Sequence, residues 1–285
     1  MVPSGARPHK GRGGAGGGVG ARAGRQLTTA WLLAALWAGA CGPAGASEAK
    51  PAPARAFDHT HAAWTKLLAA YVDDGVVDYS GLRAHGRAAL ESYLEELAAP
   101  RSMEGWTREQ QMAFWINAYN AWTVERVLEA WPVKSFKKLD WPRGPWKREF
   151  VRLGLSPEPV SLDWIEHEVL RKRYAEPRIH MALVCASRSC PALRSEAYVA
   201  ARLDAQLEDQ ARRFVGDPAK NRLDAEAGVL WLSKIFDWYG EDFERGGGSV
   251  RAFVAAHLPA DAAARVRDGS LDIRWLDYDW SLNGR

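Results

Sequence analysis

The segment that most constrains this 285-residue chain runs over residues 107–131. Thr107 predicts a helix N-cap, and Pro132 predicts the stop, because proline brings no N–H and clashes with the preceding turn. Between them Phe114, Trp115, Ile116, Tyr119, Trp122, Val124, Val127 and Leu128 fall on nearly every side of a helix. A helix that is apolar all round is a buried one, so the rest of the chain has to fold around it. Asn117 and Asn120 are three residues apart and share one face. Once buried, their amides need partners, since an unpaired polar group costs about 1–3 kcal/mol.

Helical spacing recurs on both sides of that segment. Ala63, Leu67, Leu68 and Tyr71 form one stripe, and Leu90, Tyr93, Leu94 and Leu97 another. Ser161 or Asp163 caps a third helix carrying Trp164, Ile165, Glu166, His167, Val169 and Leu170. A long amphipathic helix is expected over 196–215, and shorter ones over 235–243 and 250–258. Strand signals are fewer: a hairpin over 148–153 and 160–162, the run 178–185, a short piece at 229–232 and a tail at 273–280. The expectation is α+β, a helix-rich single domain with a small, mostly mid-chain β-sheet.

The N-terminus reads differently. Residues 1–24 are rich in Gly, Arg and Ala, and an uncharged stretch over 27–40 precedes Cys41. Residues 1–40 therefore read as a signal peptide, too short in its apolar core to span a bilayer. Two cleavage sites fit: before Cys41, which would then carry a lipid, or after Ala46. Residues 41–57 follow as a flexible tether, and 58–285 as the folded domain. Localisation is expected in the periplasm or cell envelope, with membrane contact only through the signal or a lipidated Cys41.

Residues 1–40 hold Arg7, Lys10, Arg12, Arg22 and Arg25 and no acid. Taking those five from the chain's 38 Lys+Arg leaves 33 against 35 Asp+Glu, a formal charge of −2. A near-neutral body with interspersed charge carries no footprint for nucleic acid.

Five stretches resemble the hallmarks of the domain of unknown function 547 family. They are FWINAYNAW (114–122), SLDWIEHEVLR (161–171), PRIHMALVCASRSCPALRSEAY (177–198), IFDWYGEDF (235–243) and YDWSLN (278–283). Met181 stands where Phe is more usual in that family, and Ser187-Arg188 fills a spot often occupied by smaller residues. The resemblance implies an exported or membrane-associated α+β domain and supplies no reaction.

Chemistry centres on the third stretch. A cysteine nucleophile needs a base, and the base an orienting group. Alternation along a strand over 178–185 turns His180 and Cys185 to opposite faces, leaving Cys185 as core filler. Cys190 lies beyond that strand, near Arg188, whose charge favours a thiolate. The expected catalytic set is Cys190 as nucleophile, His180 as base and Glu166 as orienter. Asn117, Asn120, Tyr119 and Arg188 are expected to bind ligand. Trp141 and Trp146, in a Pro-rich loop, are rim candidates. His257 with Asp277 and Asp279 offers a second, weaker arrangement.

The competing expectation is a Cys185–Cys190 disulfide pinning the loop, natural in an oxidising compartment. No metal is expected: His180, Cys185 and Cys190 are too widely spaced for structural zinc, and His167 beside Glu166 is not an H-E-x-x-H pair. No cofactor is expected either, for want of a phosphate-binding glycine loop. Two functions fit: a cysteine-dependent hydrolase or transferase acting on amide or thioester groups, or a non-catalytic envelope module binding a peptide or small thiol ligand.

Overall fold

The computed structural model describes residues 56–245 and 248–285. The signal peptide, both cleavage sites, Cys41 and nearly all of the tether lie outside the described residues.

The chain opens with α1 (Ala62–Tyr71), then the two-residue strands β1 (Val72–Asp73) and β2 (Val76–Val77), paired antiparallel. A continuous helical stretch follows: α2 (Tyr79–Gly81), a π-helical segment Leu82–Gly86, and α3 (Arg87–Ala98). Helix α4 (Arg108–Glu129) is the one foreseen. Thr107 Oγ1 accepts from the Gln110 N–H, and the Gln110 side chain accepts from the Thr107 N–H, closing a capping box. Every residue of α4 from Met112 to Leu128 is buried, so the surrounding elements pack on it from all sides.

After two short 3-10 turns comes a second π-helical segment, Trp164–Leu170, begun by Ser161 Oγ accepting from the Trp164 N–H. It runs into α5 (Arg171–Tyr174), and α6 (Ile179–Ala182) is a single turn. Helix α7 (Leu203–Gly216) starts later than its sequence stripe suggests. The rest comprises β3 (Arg222–Asp224), β4 (Val229–Leu232), α8 (Lys234–Trp238), α9 (Gly240–Glu244), α10 (Val250–Ala256), α11 (Ala260–Arg267) and β5 (Asp272–Trp275). Strand β4 pairs antiparallel with β3 and parallel with β5.

The fold is a helix-rich α+β one with two small sheets. The sheets do not lie where the sequence pointed. Residues 178–185 form no strand; α6 and an irregular loop take their place. The reason is a tertiary contact. A short apolar run carries no periodicity to separate strand from buried helix, and the backbone groups a ladder would satisfy are taken by a side chain instead. Asn120 Nδ2 donates to Ala182 O at 3.0 Å, and its Oδ1 accepts from the Val184 N–H at 3.0 Å. The hairpin expected over 148–162 is reduced to one antiparallel bridge, Val151 to Val160.

Two hydrophobic clusters make the core. One gathers on α4 and takes in Ile179, Ala182 and Cys185; the other gathers α7 to α11 and β4, and takes in Met181. Segment α6 thus sits at their seam, which is why His180 is only 3% exposed. No described helix is long and apolar enough to cross a membrane.

Candidate active site

The loop after α6 is held from two directions. Asn120 fixes residues 182 and 184 from α4. The C-terminal tail fixes the rest: the Arg188 N–H donates to Ser281 O (2.9 Å), Ser189 N–H to Asp279 O (3.2 Å), and Asn283 N–H to Ala186 O (3.1 Å). Between these clamps Ala186 adopts φ +54°, a left-handed conformation costing a non-glycine residue about 1–2 kcal/mol. Such strain persists only where the surroundings over-determine it, and it gathers at functional sites. Cys185 is the residue just before it.

His180 projects from α6 to meet α9. Its Nε2 lies 2.7 Å from Asp242 Oδ2. Asp242 also accepts from Arg171 Nε at 2.5 Å and Nη2 at 3.1 Å, and pairs with Arg245 at 2.9 Å. Burial alone would raise the Asp242 carboxyl, but the hydrogen bonds from His180 and Arg171 outweigh it and hold the group far below the usual carboxylate range. Asp242 is therefore ionised and fixes the imidazole proton on Nε2, leaving Nδ1 with its lone pair. Burial pushes His180 below its ordinary value, so the ring is neutral at pH 7. It stacks on Tyr239 at 4.0 Å between centroids. Nδ1 is buried and makes no hydrogen bond.

The two cysteines are free thiols, with no disulfide between them. Cys185 Sγ lies 2.9 Å from Ser187 Oγ and 3.3 Å from the Tyr278 hydroxyl. Cys190 Sγ accepts from the Cys185 N–H at 2.7 Å. Burial works against the Cys185 thiolate, yet hydrogen bonds from Cys190, Ser187 and Tyr278 outweigh burial and bring the thiol below its ordinary value. Burial and the neighbouring Cys185 push Cys190 the other way. With no strand to turn it into the core, Cys185 receives the hydroxyl donors, and Cys190 keeps its proton.

His180, Cys185, Cys190, Trp238, Tyr239 and Tyr278 line one cleft, together with Trp280 and a few aliphatic side chains. Its volume is about 10 Å³, room for one water. Trp238, Tyr278 and Trp280 pack on one another over it at 4.4–5.7 Å. Trp141 (86% exposed) and Trp146 (buried) line none of it.

Glu166 is fully buried on the π-helical segment and makes no hydrogen bond through either oxygen. Burial pushes its carboxyl up to about 7; the Tyr239 hydroxyl faces it outside hydrogen-bond geometry and opposes the rise. It does not orient His180; that position belongs to Asp242. Tyr119 and Tyr239 also bury hydroxyls without partners, and each senses the Glu166 charge.

Asn117 is spent on the Tyr198 backbone, donating to its O (2.7 Å) and accepting from its N–H (3.0 Å). Neither asparagine is therefore aimed at a ligand. Arg188 is exposed and lies outside the cleft. His257 is bound to Phe253 O and faces Glu208 at 3.3 Å, apart from Asp277 and Asp279. Among the described residues no cluster of three or more His, Cys, Asp or Glu side chains is placed to hold a metal. Asp242, Tyr278 and Ser187 were missed by sequence reasoning. The first two sit in the motifs IFDWYGEDF and YDWSLN, which carried the signal without a role attached.

Residues 103–215 match the sequence model of a family described as "Protein of unknown function, DUF547". No curated protein and no solved structure matches the chain.

Proposed function

We propose, from the premise that the chain belongs to the DUF547 family, that it is a cysteine-dependent acyl-transfer enzyme acting on amide or thioester groups. The observation that carries this is the meeting, in one cleft, of a hydroxyl-stabilised thiol with a neutral imidazole held by a carboxylate. In this reading Cys185 is the nucleophile, His180 the base and Asp242 the orienting group, the arrangement that activates a weak nucleophile on many unrelated folds. Cys190 keeps its proton, and its Sγ accepts from the Cys185 N–H.

The step balances simply. Cys185 Sγ bonds to the acyl carbon, the acyl–leaving-group bond breaks, and His180 passes the thiol proton to the departing group. A water in the cleft then gives its proton to His180 and its oxygen to the acyl carbon, and Cys185 departs as thiolate. The free thiols favour this reading over a module pinned by a disulfide.

The test is to alkylate the folded protein at pH 7 and to follow thiol release from acyl thioesters. Cys185 is expected to label faster than Cys190. Cys185→Ser and His180→Asn are each expected to lower turnover by about 10²-fold or more. Full turnover in Cys185→Ser sinks the proposal.

A further inference from the structure

Two spaces meet at the thiol pair, and they differ in size and chemistry. The cleft on the His180 side holds about 10 Å³. A second groove measures about 300 Å³, and among its lining residues are Asp74, Ser187, Arg188, Cys190, Lys220 and Asn283. Cys190 borders both. Ser187 joins them too, because it lines the groove while its Oγ sits 2.9 Å from Cys185 Sγ. A volume at the lower end of small-molecule sites therefore lies one side chain, Ser187, away from the Cys185 sulfur, while the imidazole faces a space that admits only water.

The charges of the groove do not cancel. Asp74 is engaged by Arg213 at 3.0 Å, and Lys220 by Asp217 at 2.7 Å. Arg188 is exposed and forms no ion pair among the described residues. The acid that senses it, Asp279, already accepts from the Ser281 N–H and hydroxyl. The Arg188 backbone is anchored, its N–H donating to Ser281 O at 2.9 Å. An unpaired guanidinium on an anchored backbone thus lines the larger space, together with Ser187 and Asn283. Planar bidentate recognition of a carboxylate is what arginine does best.

We infer that this outer groove is the acyl-donor subsite and takes an acyl chain bearing a carboxylate, which Arg188 reads while the acyl carbon is delivered to Cys185 past Ser187. The inference rests on the acyl-transfer reading above, and it assigns the two spaces separate tasks: donor in the outer groove, water in the inner cleft.

Iodoacetate and iodoacetamide separate the two ideas, because they alkylate alike and differ in charge. Alkylation is mapped to Cys185 and Cys190 in the full chain. Wild type is expected to show a higher iodoacetate-to-iodoacetamide rate ratio than free cysteine. Arg188→Glu should lower that ratio at least about ten-fold, the scale of one charge-assisted contact, and Arg188→Lys should keep most of it. An unchanged ratio in Arg188→Glu, with labelling still proceeding, overturns the groove and leaves the thiol chemistry standing. Failure of both reagents to label either cysteine overturns both. As a second arm, glutaryl and butyryl thioesters of N-acetylcysteamine are compared. Arg188→Glu should raise KM about ten-fold for the glutaryl donor alone; an equal rise for both overturns the inference.

Discussion

Two buried polar regions meet on helix α4, and they are treated in opposite ways. Asn117 and Asn120 satisfy four backbone groups at Tyr198, Ala182 and Val184. Tyr119, between them in sequence, buries its hydroxyl with no partner, as do Tyr239 and both oxygens of Glu166. Buried polar atoms are normally paired, so the first region is what a fold builds to hold a loop. The second keeps a desolvation cost that structure alone does not require, and it keeps it next to His180 and Cys185. The asparagine amides thus hold the loop, while the unsatisfied carboxylate and hydroxyls leave polar capacity unused around Tyr239.

The sharpest way to break that contrast is to remove the clamp. Asn120→Ala leaves Ala182 O and the Val184 N–H buried and unpaired, at about 1–3 kcal/mol each. We expect a loss of about 2–4 kcal/mol, a fall in Tm of roughly 5–15 °C, and slower alkylation of Cys185 because its loop loses one of its two supports. Asn117→Ala should lower Tm similarly while leaving Cys185 alkylation unchanged, since its partner is Tyr198. Thermal unfolding with thiol labelling checks both, and equal labelling effects from the two variants would show that Asn120 does not position the thiol.

The clamp also explains what the sequence could and could not convey. Helix α4 was legible because its apolar residues cover every face, a pattern with no other outcome, and Thr107 and Pro132 bound it. The run 178–185 was not legible as a helical turn plus loop, because its register is set by an amide 62 residues away in sequence. That one error propagated. A strand turns Cys185 away from His180; α6 and its loop bring both to one cleft. Asp242 was hidden for a different reason. A carboxylate in a short helix carries no sign of its partner, and only the packing of α9 against α6 brings it to His180. Glu166, by contrast, was singled out from sequence, and the structure changes its role rather than its interest: it is buried and faces Tyr239, while Asp242 holds the imidazole.

Glu166 supplies the next test, of the unsatisfied region. Its carboxyl stands at about 7 when folded against an ordinary 4.5, so the folded state holds a proton that the unfolded state has lost between those values. A raised carboxyl therefore stabilises fully below pH 4.5, and that contribution is lost as pH rises through 7. The loss is on the order of 3 kcal/mol. Glu166→Gln should remove this slope: equal to wild type in urea unfolding near pH 4, below the unfolded value, and more stable at pH 8. The same pH dependence in both proteins would mean that Glu166 finds a partner when ionised.

The smallest expected effect asks whether the Tyr239 hydroxyl is a spectator to folding. Tyr239→Phe keeps the ring that stacks on His180 at 4.0 Å and lies under the Arg171 guanidinium at 5.1 Å. It removes only a hydroxyl that faces Glu166 outside hydrogen-bond geometry, so stability at pH 5 should change by less than about 0.5 kcal/mol, below the usual worth of one hydrogen bond. Yet that hydroxyl opposes the rise of the Glu166 carboxyl. Without it the carboxyl should climb further, and the loss of stability that wild type completes near pH 7 should extend to higher pH. The double variant Tyr239→Phe, Glu166→Gln should show no such shift. A loss of more than 1.5 kcal/mol at pH 5, beyond the roughly 0.5–1.5 kcal/mol of a made hydrogen bond, would place Tyr239 with the asparagines, as a part of the scaffold whose partner forms in solution.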